Sequence, residues 1–287
     1  MTLFDRYIAV DWSAANERRT GADSIWIAEL GPEGAAPSLN PATRAEATAH
    51  LIERTRGAHA RNERVLLGFD LVFGYPRGAA RAIAGKPGWR SLWDAIVNAV
   101  EDDEDNRSNR FEVAAQFNRT LELDHFWGHP PHHRYATLAP KRPLHGYMHI
   151  AERRLAETYM KGPQPVWKLT GAGSVGSQSL LGIPRLQQIK DAVPDVAIWP
   201  FETDFETQLA PVTMVEIYPS MFSLTGTVSP RDREQVETCV KRLAELDASG
   251  LVAEFLSAPG TLRQDQRGDL IAEEGWIAGA GHEHLLR

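Results

Sequence analysis

Cysteine is almost missing from this 287-residue chain: there is one, Cys239, so no internal disulfide can form and a reducing cytoplasm is the expected setting. Cys239 shares a helical face with Val236, Val240 and Leu243, which makes it a core thiol rather than a nucleophile. Long apolar runs are lacking too. None approaches the roughly 18 residues of a membrane span, and no basic-then-apolar leader opens the chain, so neither a membrane helix nor a signal peptide is expected. Positive charge is in deficit, with 31 Lys and Arg against 38 Asp and Glu. The net charge of −7 excludes a surface built for indiscriminate nucleic-acid binding, while leaving room for a local basic groove.

What remains is a composition of 43% hydrophobic and 24% charged residues, enough to bury a large core. The most informative stretch is Tyr7-Ile8-Ala9-Val10-Asp11-Trp12-Ser13. A buried strand over 7–10 delivers a carboxylate, Asp11, into a small-residue turn, and burying a carboxylate is costly unless something compensates it. A second strand over 24–30 makes a hairpin with the first, and a short third strand fits near 36–39. Thr43 and Glu46 then form a capping-box pattern at the start of a helix carrying Ala47, Leu51 and Ile52. Val65-Leu66-Leu67-Gly68-Phe69-Asp70 is another buried strand ending on an acid. A helix returning to a neighbouring strand in this way predicts an α/β fold with a mixed sheet.

Residues 76–195 read as a helical and loop insertion, between the fourth and fifth strands, within a single domain over 1–287. Helices are expected over 88–100 and 108–121, and the acidic run 101–105 reads as a solvated helix end. The strand pattern returns at 196–199 and 212–219, where Glu216 interrupts an apolar run. An amphipathic helix covers 231–247. In a last helix over 269–280, Leu270, Ile271, Ile277 and Ala278 form the apolar stripe, and Glu274 falls in the middle of it.

Acids on three strands and one inward helix face could meet at one end of the sheet. Such a cluster repels itself unless divalent cations sit in it, and hard oxygen ligands suit Mg²⁺ or Mn²⁺. The phrases Tyr7-Ile8-Ala9-Val10-Asp11, Gly68-Phe69-Asp70, Glu216-Ile217-Tyr218-Pro219 and Glu274-Gly275 span nearly the full chain. On them the chain resembles the RNase H-like superfamily, and more narrowly the bacterial family called domain of unknown function 429. The family pattern usually ends on aspartate-alanine where this chain has Glu274-Gly275. The resemblance implies a sheet whose three antiparallel strands come first, with Asp11, Asp70, Glu216 and Glu274 as catalytic metal ligands, Glu216 alternatively orienting the water. It implies phosphodiester hydrolysis on a phosphate-containing substrate, a nucleic acid or a nucleotide-like molecule.

Other signals compete. Gly171-Ala172-Gly173-Ser174-Val175-Gly176 matches a dinucleotide-binding pattern, but Pro184 and Pro194 are expected to break the helix it needs. The milder reading is a phosphate-holding loop using Gly173, Ser174, Ser177 and Lys168, with Ser13 beside Asp11 and Arg154 as further substrate contacts. Six histidines, His125, His129, His132, His133, His145 and His149, suggest an exposed loop more than a zinc site. Asp11-x-Ser13 also has a faint likeness to the first phosphate loop of actin-like kinases, making an ATP-dependent phosphotransferase the alternative. A non-catalytic binding protein in cobalamin or molybdopterin metabolism is a third reading.

Overall fold

In the computed structural model, residues 2–121, 125–144, 147, 149–205 and 209–286 are described. Strands β1 (Arg6–Asp11), β2 (Trp26–Gly31) and β3 (Gly34–Ala35) come first, followed by α1 (Arg44–Ala60) and β4 (Val65–Asp70). Helices α2 (Ala79–Ala84), α3 (Trp89–Ala99), α4 (Arg110–Thr120) and α5 (Val175–Ala192) lead to β5 (Val196–Ile198) and β6 (Val212–Glu216). The chain then ends with α6 (Arg231–Ala248), α7 (Val252–Phe255) and α8 (Gln264–Asp269). The protein is therefore an α/β fold with one six-stranded mixed sheet in the order β3-β2-β1-β4-β6-β5. β1 pairs antiparallel with β2 and parallel with β4, and β4 and β5 each run parallel to β6.

Alternation of side chains along the strands sets the two layers. Ile8, Val10, Leu67, Phe69 and Met214 share a core with Leu51 of α1 and Leu180 and Ile183 of α5. Tyr7, Ala9, Leu66 and Val215 face the other way, into a core with Val236, Cys239, Val240 and Leu243 of α6. No described helix is long and apolar enough to cross a membrane.

Local chemistry modifies several sequence expectations. Thr43 caps α1 by accepting from the Glu46 N–H at 3.1 Å, but the Glu46 carboxylate reaches the Ala42 N–H at 2.9 Å rather than that of the cap. The third strand lies at 34–35, with Leu39 forming only an isolated bridge to Ile27. Pro184 does not break α5: the helix runs through it because Leu180, Leu181, Ile183 and Leu186 are all buried, and packing outweighs the missing N–H. Asp102 is not solvated. Its side chain is 5% exposed and ties Arg44 of α1 to Arg185 of α5.

The last helix is also shorter than its periodicity predicts. α8 passes into a π turn over Leu270–Glu274, and Gly275, at φ +70°, closes it. Beyond it Ile277 bridges to Glu216, so the chain rejoins the sheet instead of continuing as helix to 280.

The first turn of α5 is pressed against the segment before it. A Cβ at Gly176 would lie 2.2 Å from the Val166 carbonyl and 2.8 Å from that of Lys168. Gly176→Ala is expected to lower stability by about 1–3 kcal/mol through overpacking. Urea denaturation measures it, and an unchanged midpoint would contradict this packing.

Candidate functional site

Asp11 and Asp70 are register partners at the C-terminal ends of the adjacent parallel strands β1 and β4. Counting by twos from Tyr7 and Ala9, and from Leu66, places both on the α6 face of the sheet. They line a cleft of about 730 Å³ together with Asp232, Arg110 and the 171–174 loop. Ser13 lies on the same wall, its hydroxyl accepting from the Ala15 N–H at 3.2 Å. The structure thus brings together Asp11, Asp70, Ser13, Gly173 and Ser174, and the glycine-rich loop does sit over the acidic end of the sheet.

No hydrogen bond or cation among the described residues offsets either carboxylate. Burial, then the charge of Asp70, raises the Asp11 carboxyl well above the usual range. Burial, followed by Glu216 and Asp232, pushes Asp70 up to about 7. Two acids held side by side in this way favour either a shared proton or a bound cation.

Asp232 is a member that the sequence reading misses. It stands in the first turn of α6 and accepts the Asp23 N–H at 2.7 Å. An acid there reads as an ordinary partner of the helix dipole, and only the packing of α6 across β1 and β2 carries it to the cleft.

Glu216 lies near enough to raise Asp70 and lines a smaller cavity of about 260 Å³ with it, but it does not line the larger cleft. Level with Phe69 rather than Asp70, it shares the alternation of Val212 and Met214. Arg154, fully buried, holds both Glu216 oxygens at 2.8 and 2.6 Å, and the Phe73 N–H adds a third bond at 3.1 Å. Glu274 is likewise occupied: its oxygens accept the Arg77 and Leu155 N–H groups at 2.9 and 2.7 Å.

Three substrate-contact expectations change for the same kind of reason. Arg154 is paired with Glu216 and Glu157, and it lines the smaller cavity beside Asp70 rather than the larger cleft. It sits just before a single 3₁₀ turn over Ala156–Thr158, not in a longer helix. Lys168 closes the loop on itself by donating to the Ala172 carbonyl. Ser177 is buried, donating to the Leu169 carbonyl at 2.7 Å and accepting from Arg110 at 3.1 Å.

The histidine-rich segment gathers no metal set among the described residues, and His145 lies outside them. His129 and His133 instead bond to the Pro130 carbonyl and the Tyr135 hydroxyl. The one set of three His, Cys, Asp or Glu residues whose donor atoms all lie within 4.8 Å of one another is Glu254, His282 and His284, again among the described residues. None of these lines the cleft, and both histidines face Glu254, at 3.9 and 3.2 Å. Asp11, Asp70 and Asp232 are accordingly more widely spaced. The Asp11 and Asp70 pair, with Asp232 at the rim, fits Mg²⁺ or Mn²⁺, which keep several waters and take one or two carboxylates plus substrate oxygens. Glu216, paired with Arg154, and Glu274, held by two backbone N–H groups, fit such an ion less well.

No family model, curated protein or solved structure matches the chain.

Two outcomes follow from this charge arrangement. In metal-free buffer the folded state holds an extra proton on the Asp70 site between about pH 4 and pH 7, so this site's contribution to stability falls as pH rises through that window. Asp70→Asn should abolish that part of the slope. Urea titrations of both proteins at pH 5 and pH 7.5 measure the difference, and parallel profiles would refute it. Arg154→Met leaves two buried carboxylates without their cation and is expected to cost about 3–5 kcal/mol. Adding Glu216→Gln should recover part of that loss in the same assay.

Proposed function

We propose that the protein is a metal-dependent hydrolase of phosphodiesters with an RNase H-like architecture. The carrying observation is the Asp11 and Asp70 pair, in register on one face and with no Lys or Arg partner among the described residues, opening on a cleft lined by a glycine-rich loop. The three antiparallel strands at the start and the parallel β1–β4 step support the fold reading.

Asp11 and Asp70 would hold Mg²⁺ or Mn²⁺, with Asp232 adding negative charge from the α6 side. Such an ion supplies an activated water and stabilises charge on the leaving oxygen. Around it the chain's own groups have separable tasks. Ser174 opens α5, an 18-residue helix, and its hydroxyl does not cap the helix, so the positive end of the dipole faces the cleft where a phosphate would rest. Gly171 and Gly173, both at positive φ, let the loop backbone turn tightly there. Gln178 fixes the α5 side of the cleft to β1 by donating to the Trp12 carbonyl.

Mn²⁺ should raise the melting temperature of the wild-type protein by mass action, and Asp11→Asn/Asp70→Asn should abolish the effect. His284→Ala, at the separate Glu254 cluster, should leave the cleft-dependent part of the response intact. Glu216→Gln, if folded, should keep the response as well. On phosphodiester substrates with Mn²⁺ present, Asp70→Asn is expected to lower the rate by roughly a hundredfold. An equal thermal response in wild type and double variant would refute the metal site; ATP consumption without phosphodiester cleavage would favour a phosphotransferase.

A further inference from the structure

Five arginines are buried among the described residues, and their partners divide them unequally. Arg6 pairs with Glu29, Glu33 and Glu63, Arg44 and Arg185 with Asp102, and Arg154 with Glu157 and Glu216. Arg110 alone has no carboxylate among the described residues, although only 7% of it is exposed. Its Nε donates to the Ser177 hydroxyl at 3.1 Å, and Nη1 donates to Asn16 Oδ1 and the Ser108 hydroxyl, each at 2.8 Å. All three acceptors are neutral. They fix the guanidinium plane against the Phe111 ring and leave Nη2 without a protein acceptor among the described residues. Arg110 also lines the cleft, with Asp11 and Asp70 on the same wall system and the 171–174 loop above.

A buried cation held only by neutral groups is costly unless an anion completes it. Burial, then repulsion from Arg44, pushes Arg110 down to about 10 against the weaker pull of Asp102 and Glu112, whereas the paired Arg6 and Arg154 are raised. Its place in the chain is anomalous as well. It is the first residue of α4, where the helix dipole disfavours positive charge.

We infer that Arg110 is the anion-binding residue of the cleft, receiving a phosphate oxygen of the substrate through its free Nη2, with Ser177, Asn16 and Ser108 as the residues that position it. The identity of the anion as phosphate rests on the phosphoryl chemistry proposed above; the presence of an oxyanion site does not. A preset planar donor suits a tetrahedral oxyanion.

The test is calorimetric titration with inorganic phosphate at fixed ionic strength and without divalent ions, on the full chain. Wild type should bind saturably, Arg110→Gln roughly tenfold more weakly or not at all, and Arg110→Lys in between, because the charge is kept and the fork lost. Arg110→Gln should melt near the wild-type temperature, since no carboxylate is stranded, whereas Arg154→Met should melt well below it. Asp11→Asn/Asp70→Asn should retain or strengthen phosphate binding. Equal binding by wild type and Arg110→Gln, or none by wild type, would overturn the assignment. Failure of the metal reading would instead appear as an absent Mn²⁺ response and would leave these titrations unchanged.

Discussion

Repulsion between two carboxylates fixed at the same level of neighbouring parallel strands is the constraint on which the site depends. Hydrogen bonding between β1 and β4 puts Asp11 opposite Asp70, and the pleat aims both at one face. The strands cannot relax this contact, because Ile8, Val10, Leu67 and Phe69 anchor them in the core on the other side. The energy is therefore carried by protonation or by an external cation: burial, with the charge of Asp70 added at Asp11 and those of Glu216 and Asp232 added at Asp70, raises both acids. Everything around the cleft is arranged about that unresolved charge. α6 brings a third acid, α5 brings its N-terminal end, and α4 brings the one buried arginine that no described carboxylate neutralises.

A second ion network, centred on Arg154, explains why only two strand acids line the larger cleft. Arg154 is fully enclosed and shared between Glu157 and Glu216, and it also donates to the Glu274 carbonyl at 3.0 Å. Glu274 in turn accepts backbone N–H groups from two distant parts of the helical region, at Arg77 and Leu155. These buried acids are bonded within the protein and hold the C-terminal segment to the sheet and to the helices inserted between β4 and β5. Bonding of this kind locks geometry, and it makes those oxygens less available to a ligand.

Much of the architecture was legible from local patterns. β1, β4, β6, α1, α3, α4 and α6 lie close to where alternation, capping and periodicity place them, because each carries its own apolar face. The misplacements have specific causes. α5 passes through Pro184 since burial on every turn outweighs one lost hydrogen bond, and the final helix closes at Gly275 because its two glutamates are drawn to backbone donors elsewhere. Asp102, lost among four acidic neighbours in a solvated-looking run, is buried by two arginines from helices remote in sequence.

By itself the sequence determined that Asp11 and Asp70 end buried strands, that a glycine-rich loop precedes a helix, and that positive charge is scarce. Those are properties of short stretches, set by side-chain alternation and backbone freedom. Only the tertiary structure decided how each acid is held, since a one-residue offset in register turns Glu216 onto Arg154 while Asp11 and Asp70 stay level with each other. It alone distinguished Arg154, whose charge is spent on glutamates, from Arg110, whose charge is not. Pairing across long sequence separations leaves no local trace, and whether a buried charge is satisfied is a fact about its neighbours in space.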